Sequence, residues 1–95
     1  MEIGQVIFSF LDHVQNDPRI SPVHICIYLA VLMTGHRKGN IKEVVIYKKQ
    51  LIRKAKISGR TYQRCMKDLQ MFGYLQYEPS FSPVEGSIVR LNFDL

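Results

Sequence analysis

Apolar positions at the start of the chain recur with a helical period. Between Glu2 and Asn16 they are Ile3, Val6, Ile7, Phe10, Leu11 and Val14, with Asp12 and Gln15 on the opposite side. This i, i+3, i+4, i+7, i+8, i+11 series predicts an amphipathic helix over residues 2–16, with Phe8 off the apolar stripe. Asp17-Pro18 ends it, because proline disfavours helical dihedrals in the residue before it. Ser21-Pro22 then opens a second helix, Ser as N-cap and Pro at the first position. That helix, over residues 22–34, is apolar almost all round: Val23, Ile25, Cys26, Ile27, Leu29, Ala30, Val31, Leu32 and Met33. In a small domain such a helix lies at the centre of the core or also meets a partner chain. Gly35 to Asn40 reads as a polar loop that holds His36.

The pattern changes period at Glu43 to Tyr47, which is β-branched and aromatic and predicts a short strand. Lys48 to Ala55 returns to helix, broken by Lys56-Ile57-Ser58. Ser58 caps a further helix over residues 59–72, whose stripe is Tyr62, Cys65, Met66, Leu69 and Phe72, and Gly73 stops it. Two alternating segments close the chain, Tyr74 to Glu78 and Ser87 to Phe93. The loop between them, Pro79 to Gly86, carries two prolines and a glycine and predicts a long hairpin connection. The expected class is mostly α with a small β-hairpin, in the order α-α-β-α-α-β-β. Residues 1–95 read as one domain, with no repeat, linker or low-complexity segment.

Charge sharpens this picture. The net charge is +5, and eleven of the thirteen basic residues lie between His36 and Lys67. That stretch holds one acid, Glu43, and so carries 11 − 1 = +10; the rest carries 2 − 7 = −5. A strongly positive third in an otherwise negative chain suits a polyanion. No apolar run approaches the roughly 20 residues needed to cross a bilayer. The opening residues do not read as a signal peptide. Cys26 and Cys65 fall on segments read as buried faces of two helices, so no disulfide framework is indicated and a reducing cytoplasm is expected.

The basic stretch coincides with a structural motif. Leu51, Ala55, Ile57, Tyr62, Met66 and Leu69 are spaced so that two short helices share a small core across a three-residue turn. The start of the second then projects outward, with Gly59, Arg60, Gln63, Arg64 and Lys67 on its outer face. Arg reads guanine edges bidentately and Gln pairs with adenine, so these are the candidate base-reading residues. Lys48, Lys49, Arg53, Lys54 and Lys56 are the candidate phosphate contacts along the preceding helix and turn. Ser58 and Thr61, at the free N–H groups of the second helix, join them. The hairpin loop holds Glu78 and Glu85 and no base, which gives it a mainly structural part or one modest phosphate contact through Ser80, Ser82, Ser87 or backbone N–H groups. Tyr74 and Tyr77 are expected to pack rather than stack on bases.

The segment YKKQLIRKAKISGRTYQRCMKDLQMFGYL followed by YEPSFSPVEGSIV resembles the winged helix-turn-helix of small DNA-binding proteins from bacterial mobile elements and phages. That group is akin to the N-terminal domains of plasmid replication initiators and primosome-loading proteins. SPVHICIYLAVL is similar to the group's second helix, so the likeness covers about Ser21 to Phe93. It implies a winged helix and binding to double-stranded DNA, and fixes neither a target sequence nor a regulatory role. The role expected here is a sequence-specific regulator, in the cytoplasm with the nucleoid, of transcription or of a mobile element's excision or transfer. The alternative it leaves open is an assembly module of a replication-initiation complex. The chain departs from the group where Lys48 or Lys49 stands in place of a capping Ser, Thr or Asp, and where Lys56 replaces the turn glycine.

Nothing in the sequence suggests catalysis. His13, His24 and His36 are scattered, no His/Cys/carboxylate cluster has metal-ligand spacing, and there is no phosphate-binding glycine loop or nucleophile elbow. His24, on an apolar helix, reads as a satisfied core or boundary residue. No cofactor and no small-molecule substrate is expected. The surplus apolar surface of the first two helices, residues 2–16 and 22–34, predicts a homodimer joined through them.

Overall fold

The computed structural model describes residues 2–82 and 84–95. Pro83, the second proline of the expected hairpin loop, lies outside the described residues. The chain folds into four helices and a three-stranded antiparallel sheet that ends in a C-terminal hairpin. The elements are α1 (Ile3–Val14), α2 (Pro22–Arg37), β1 (Val44–Ile46), α3 (Lys48–Ala55), α4 (Gly59–Met71), β2 (Leu75–Glu78) and β3 (Ser87–Leu91). Among the described residues no helix is long and apolar enough to cross a membrane.

Helix α2 is the hub, and α3, α4 and β1 all pack on it. It starts where expected, with Pro22 in the first turn and Ser21 as N-cap. It runs further than the composition predicted, because Gly35 and His36 belong to its last turn rather than to a loop. Here glycine is required by a contact distant in sequence. A Cβ on Gly35 would lie 2.6 Å from both the Asn40 carbonyl oxygen and Val44 Cγ2. The chain returns over this point into β1, with Asn40 N–H donating to Gly35 O at 2.9 Å.

Helix α1 lays Val6, Phe10 and Val14 on the core, while Ile3 and Ile7 are half-buried. Leu11 corrects the expected stripe: it is exposed, since the core-facing arc of α1 is narrower than the apolar run. Phe10 stacks on Tyr28 of α2, with centroids 3.7 Å apart, and meets the edge of Tyr74. The Tyr74 hydroxyl donates to Asp17 Oδ2 at 2.6 Å, and Asp17 also takes two bonds from the Arg19 guanidinium, which lies over the Phe72 ring. Hydrogen bonding from Arg19, then from Tyr74, holds the Asp17 carboxyl well below the usual carboxylate range. This cluster fastens the α1–α2 turn to the C-terminal end of α4. The buried Tyr28 hydroxyl finds no partner among the described residues, and burial pushes its pKa up to about 12.

In the sheet β3 is central, paired with β1 on one side and β2 on the other. Val44 and Tyr77 both face Val89, and Leu75 faces Leu91, so one register puts the apolar side of all three strands on the helices. Cys26 is exposed, against the expectation of a buried position, because the hub helix keeps one narrow strip in solvent; Cys65 is buried.

Candidate nucleic-acid interface

The basic stretch folds as α3, a three-residue turn and α4. Leu51 anchors α3 in the core, with Ile52 and Ala55 half-buried beside it. The turn resolves the missing glycine directly. Lys56 itself adopts the left-handed conformation, φ 57° and ψ 49°, and the N–H groups of Lys56 and Ile57 both return to Ile52 O. A side chain held there is strained by roughly 1 kcal/mol relative to glycine. The first helix of the pair has no side-chain cap: Tyr47 stands at its N-cap and only its backbone carbonyl accepts, from Leu51 N–H at 2.9 Å.

Ser58 caps α4, its Oγ accepting from Thr61 N–H at 3.1 Å. Tyr62, Cys65, Met66 and Leu69 are buried as the stripe requires, and Phe72 is half-buried one residue past the helix, so α4 ends at Met71 rather than 72. The Tyr62 hydroxyl meets the Tyr77 hydroxyl at 2.9 Å, which ties α4 to β2 and packs Tyr77 as expected. Burial first, then this bond, raises the Tyr62 pKa. Gly73, at φ +85°, turns the chain into the hairpin.

With that stripe fixed, helical geometry puts Arg60, Gln63, Arg64 and Lys67 together on the opposite side, and all four are exposed. From Arg60 to Lys67 the helix rises about 10 Å, the height of roughly three base pairs. Gly59, the fifth candidate, sits half-buried beneath the Lys48 side chain and offers its backbone alone.

The candidate phosphate contacts divide. Lys49, Arg53 and Lys56 are exposed, and none of their side chains is hydrogen-bonded among the described residues. Lys48 reaches over α4, with Nζ 5.7 Å from the Tyr62 ring centroid. Lys54 is turned toward the hub helix, its Nζ donating to Thr34 Oγ1 at 3.1 Å. Ser58 donates its hydroxyl proton to Thr61 Oγ1 at 3.0 Å, which leaves the Thr61 hydroxyl as the free donor at the start of α4.

Ion pairing separates this surface from the rest of the molecule. Among the described residues, no Lys or Arg from Arg37 to Lys67 pairs with a carboxylate; the ion pairs are made by Arg19 and Arg90, and His24 hydrogen-bonds a carboxylate. Arg90 takes both Glu43, the one acid of the basic stretch, and Glu78. His24 takes Asp68, the acid nearest Lys67. Each of these carboxylates beside the positive face is therefore held by a group outside it. The sequence carries no signal for the Arg90–Glu43 and His24–Asp68 contacts, whose partners lie far apart along the chain.

One constellation resembles catalytic chemistry: Ser21 Oγ lies 2.7 Å from His24 Nδ1, and His24 Nε2 lies 2.9 Å from Asp68 Oδ2. The hydrogen bonds define its part. Nδ1 accepts the Ser21 backbone N–H at 3.0 Å, which assigns the ring proton to Nε2 and its donation to Asp68. The ring is buried, and Ser21 Oγ accepts in turn from His24 N–H. His24 thus completes a capping box, in the place usually taken by Glu or Gln, and ties the start of α2 to α4. The Ser-x-x-His spacing is legible in the sequence; Asp68 as its partner is not. Among the described residues no group of three His, Cys, Asp or Glu side chains is placed to hold a metal ion.

Comparison of the chain with protein families, with curated proteins and with solved structures finds no match.

Proposed function

We propose that this chain is a winged helix-turn-helix protein that binds duplex DNA, with α4 in the major groove and α3 along the phosphate backbone. The observation that carries the reading is the uncompensated positive face. Among the described residues, the eleven cations between residues 36 and 67 stand without a carboxylate partner, around a helix whose outer side presents two Arg, a Gln and a Lys in register. Self-repulsion of such a face is a standing cost that a polyanion removes. Arg60, Gln63, Arg64 and Lys67 are the base-reading residues. Lys49, Arg53, Lys56 and the Thr61 hydroxyl hold phosphate, and Lys48 joins them by swinging off the Tyr62 ring. The role proposed for it is that of a regulator in the nucleoid, acting on transcription or on excision or transfer of a mobile element.

Association through α1 belongs to the same proposal. Much of the apolar surface of α2 is covered by α3, α4 and β1, while Cys26 and Met33 stay exposed. On α1, however, Phe8 is 73% exposed and Leu11 41%. A second copy meeting this helix would place two α4 helices on one DNA and double the phosphate contacts.

The test is duplex binding as a function of salt. Neutralising about five to eight phosphates gives a slope of log K against log salt of about −4 to −7. Affinity then falls by roughly three orders of magnitude or more between about 50 and 200 mM. A flat profile, or no binding at the lowest salt, overturns the reading and favours an assembly module that contacts protein alone.

A further inference from the structure

Away from the positive face, the start of α1 and the segment after β3 border a cleft of about 600 Å³. Small-molecule sites span roughly 300–1,000 Å³, so its size suits one. Helix α1 lends it Val6 and Phe8 as apolar lining and Gln5 and Ser9 as polar lining. The segment after β3 adds Asn92 and Phe93. Tyr28 of α2 lines it as well, and because that residue is fully buried it forms the floor.

The floor holds an unfinished hydrogen bond. The Tyr28 hydroxyl is buried and has no partner among the described residues. Its ring is fixed by stacking on Phe10, so it does not swing away to find one. The nearby Asn92 amide is already engaged at both ends. Nδ2 donates to the Gly73 carbonyl at 2.8 Å, and Oδ1 accepts Asp94 N–H at 3.0 Å. A buried hydroxyl left unmatched is a standing cost that an acceptor on a bound molecule removes. Burial raises the Tyr28 pKa to about 12, so at neutral pH the hydroxyl keeps its proton and donates. Among the described residues no Lys or Arg lines the cleft, whereas Glu2 does. An anion is therefore disfavoured, and the Phe8 and Phe93 rings suit a flat apolar body.

We propose that this cleft binds an uncharged aromatic molecule bearing a carbonyl oxygen. The carbonyl accepts a hydrogen bond from the Tyr28 hydroxyl while the ligand ring packs on Phe8 and Phe93. The site uses none of the residues assigned to DNA and stands or falls apart from that reading. Phe8 is also the ring offered to a second copy, so a bound molecule and self-association draw on the same surface.

The probes are acetophenone, ethylbenzene, which lacks the carbonyl, and benzoate, which adds a charge. Each is titrated into isotope-labelled protein and followed by NMR. Acetophenone is expected to shift the resonances of Val6, Ser9, Tyr28 and Phe93 and to bind more tightly than benzoate. Tyr28→Phe should weaken acetophenone about fivefold to tenfold and leave the weaker binding of ethylbenzene unchanged. Its thermal midpoint should not fall, because no hydrogen bond within the protein is lost. Equal affinity of wild type and Tyr28→Phe for acetophenone, or no shift at these residues, overturns the site. Tighter binding of benzoate than of acetophenone does the same. A clearly lowered midpoint shows that the hydroxyl has a partner within the fold, which removes the premise and the proposal with it. Loss of acetophenone binding as the protein is concentrated into dimers marks a cleft filled by a second copy, and overturns the small-molecule site.

Discussion

Helices α1 and α4 have 12 and 13 residues, and each lays one stripe of large side chains on the core. From α1 these are Val6, Phe10 and Val14; from α4 they are Tyr62, Cys65, Met66 and Leu69. Their outer faces have little in common. Helix α1 carries no Lys or Arg and exposes Phe8 and Leu11, whereas α4 exposes Arg60, Gln63, Arg64 and Lys67. The inner faces are interchangeable in kind because burial is non-directional and roughly proportional to apolar area. The outer faces differ because folding asks nothing specific of them, which leaves them free to meet different partners.

The largest effect should come from breaking the inner faces, and it should be the same for both helices. Phe10→Ala and Tyr62→Ala each remove a fully buried ring and are expected to cost about 3–5 kcal/mol of stability in urea unfolding. Tolerance of either one, with collapse of the other, would show that one helix is an appendage rather than part of a shared core.

Breaking the outer faces should instead leave stability within about 0.5 kcal/mol and separate the two partners. Arg60→Ala, Gln63→Ala or Arg64→Ala is expected to cost about 1–3 kcal/mol of duplex binding at particular base pairs. Lys49→Ala should weaken all sequences alike and reduce the salt slope by about one. Phe8→Glu should abolish self-association in sedimentation without changing the intrinsic affinity of one protomer for DNA. If the α4 variants lower affinity uniformly on every sequence, base reading gives way to shape reading. If wild type sediments as a monomer free and on DNA, the outer face of α1 has no second copy to meet.

The smallest effect sharpens the same contrast at the turn before α4. Lys56→Gly relieves a left-handed side chain and is expected to stabilise by about 1 kcal/mol, raising the thermal midpoint by roughly 4–8 °C. It also removes one cation, so duplex binding should weaken slightly while stability rises. A lower midpoint would mean that unfolded-chain entropy outweighs the strain.

The contrast between the two helices was largely legible in the sequence. Periodicity placed α3 at Lys48–Ala55, residue for residue, and Ser58 announced the cap of α4. The Tyr62, Cys65, Met66 and Leu69 stripe implied, by helical geometry alone, which side Arg60, Gln63, Arg64 and Lys67 would take. Phe8 was legible too, as the one ring off its stripe. Errors gathered where a neighbour distant in sequence decides. Gly35 reads as loop but is helical, because what needs its missing side chain is Asn40 and Val44. Leu11 and Cys26 read as buried but are exposed, because an apolar run does not state how wide an arc its neighbours cover.

The same division holds for the candidate interface. By itself the sequence determined that eleven cations crowd one third of the chain and that a helix pair lies within it, since composition and period are local properties. Tertiary structure decided that those cations stay without carboxylate partners among the described residues. Arg90 draws off Glu78 and, from far along the chain, Glu43, while His24 hydrogen-bonds Asp68 across a separation that no window along the chain spans. It also decided that Lys54 turns to Thr34. Hydrogen bonds and ion pairs act over a few ångströms of space. Which groups come within that reach is settled only when helices and strands from distant parts of the chain pack together.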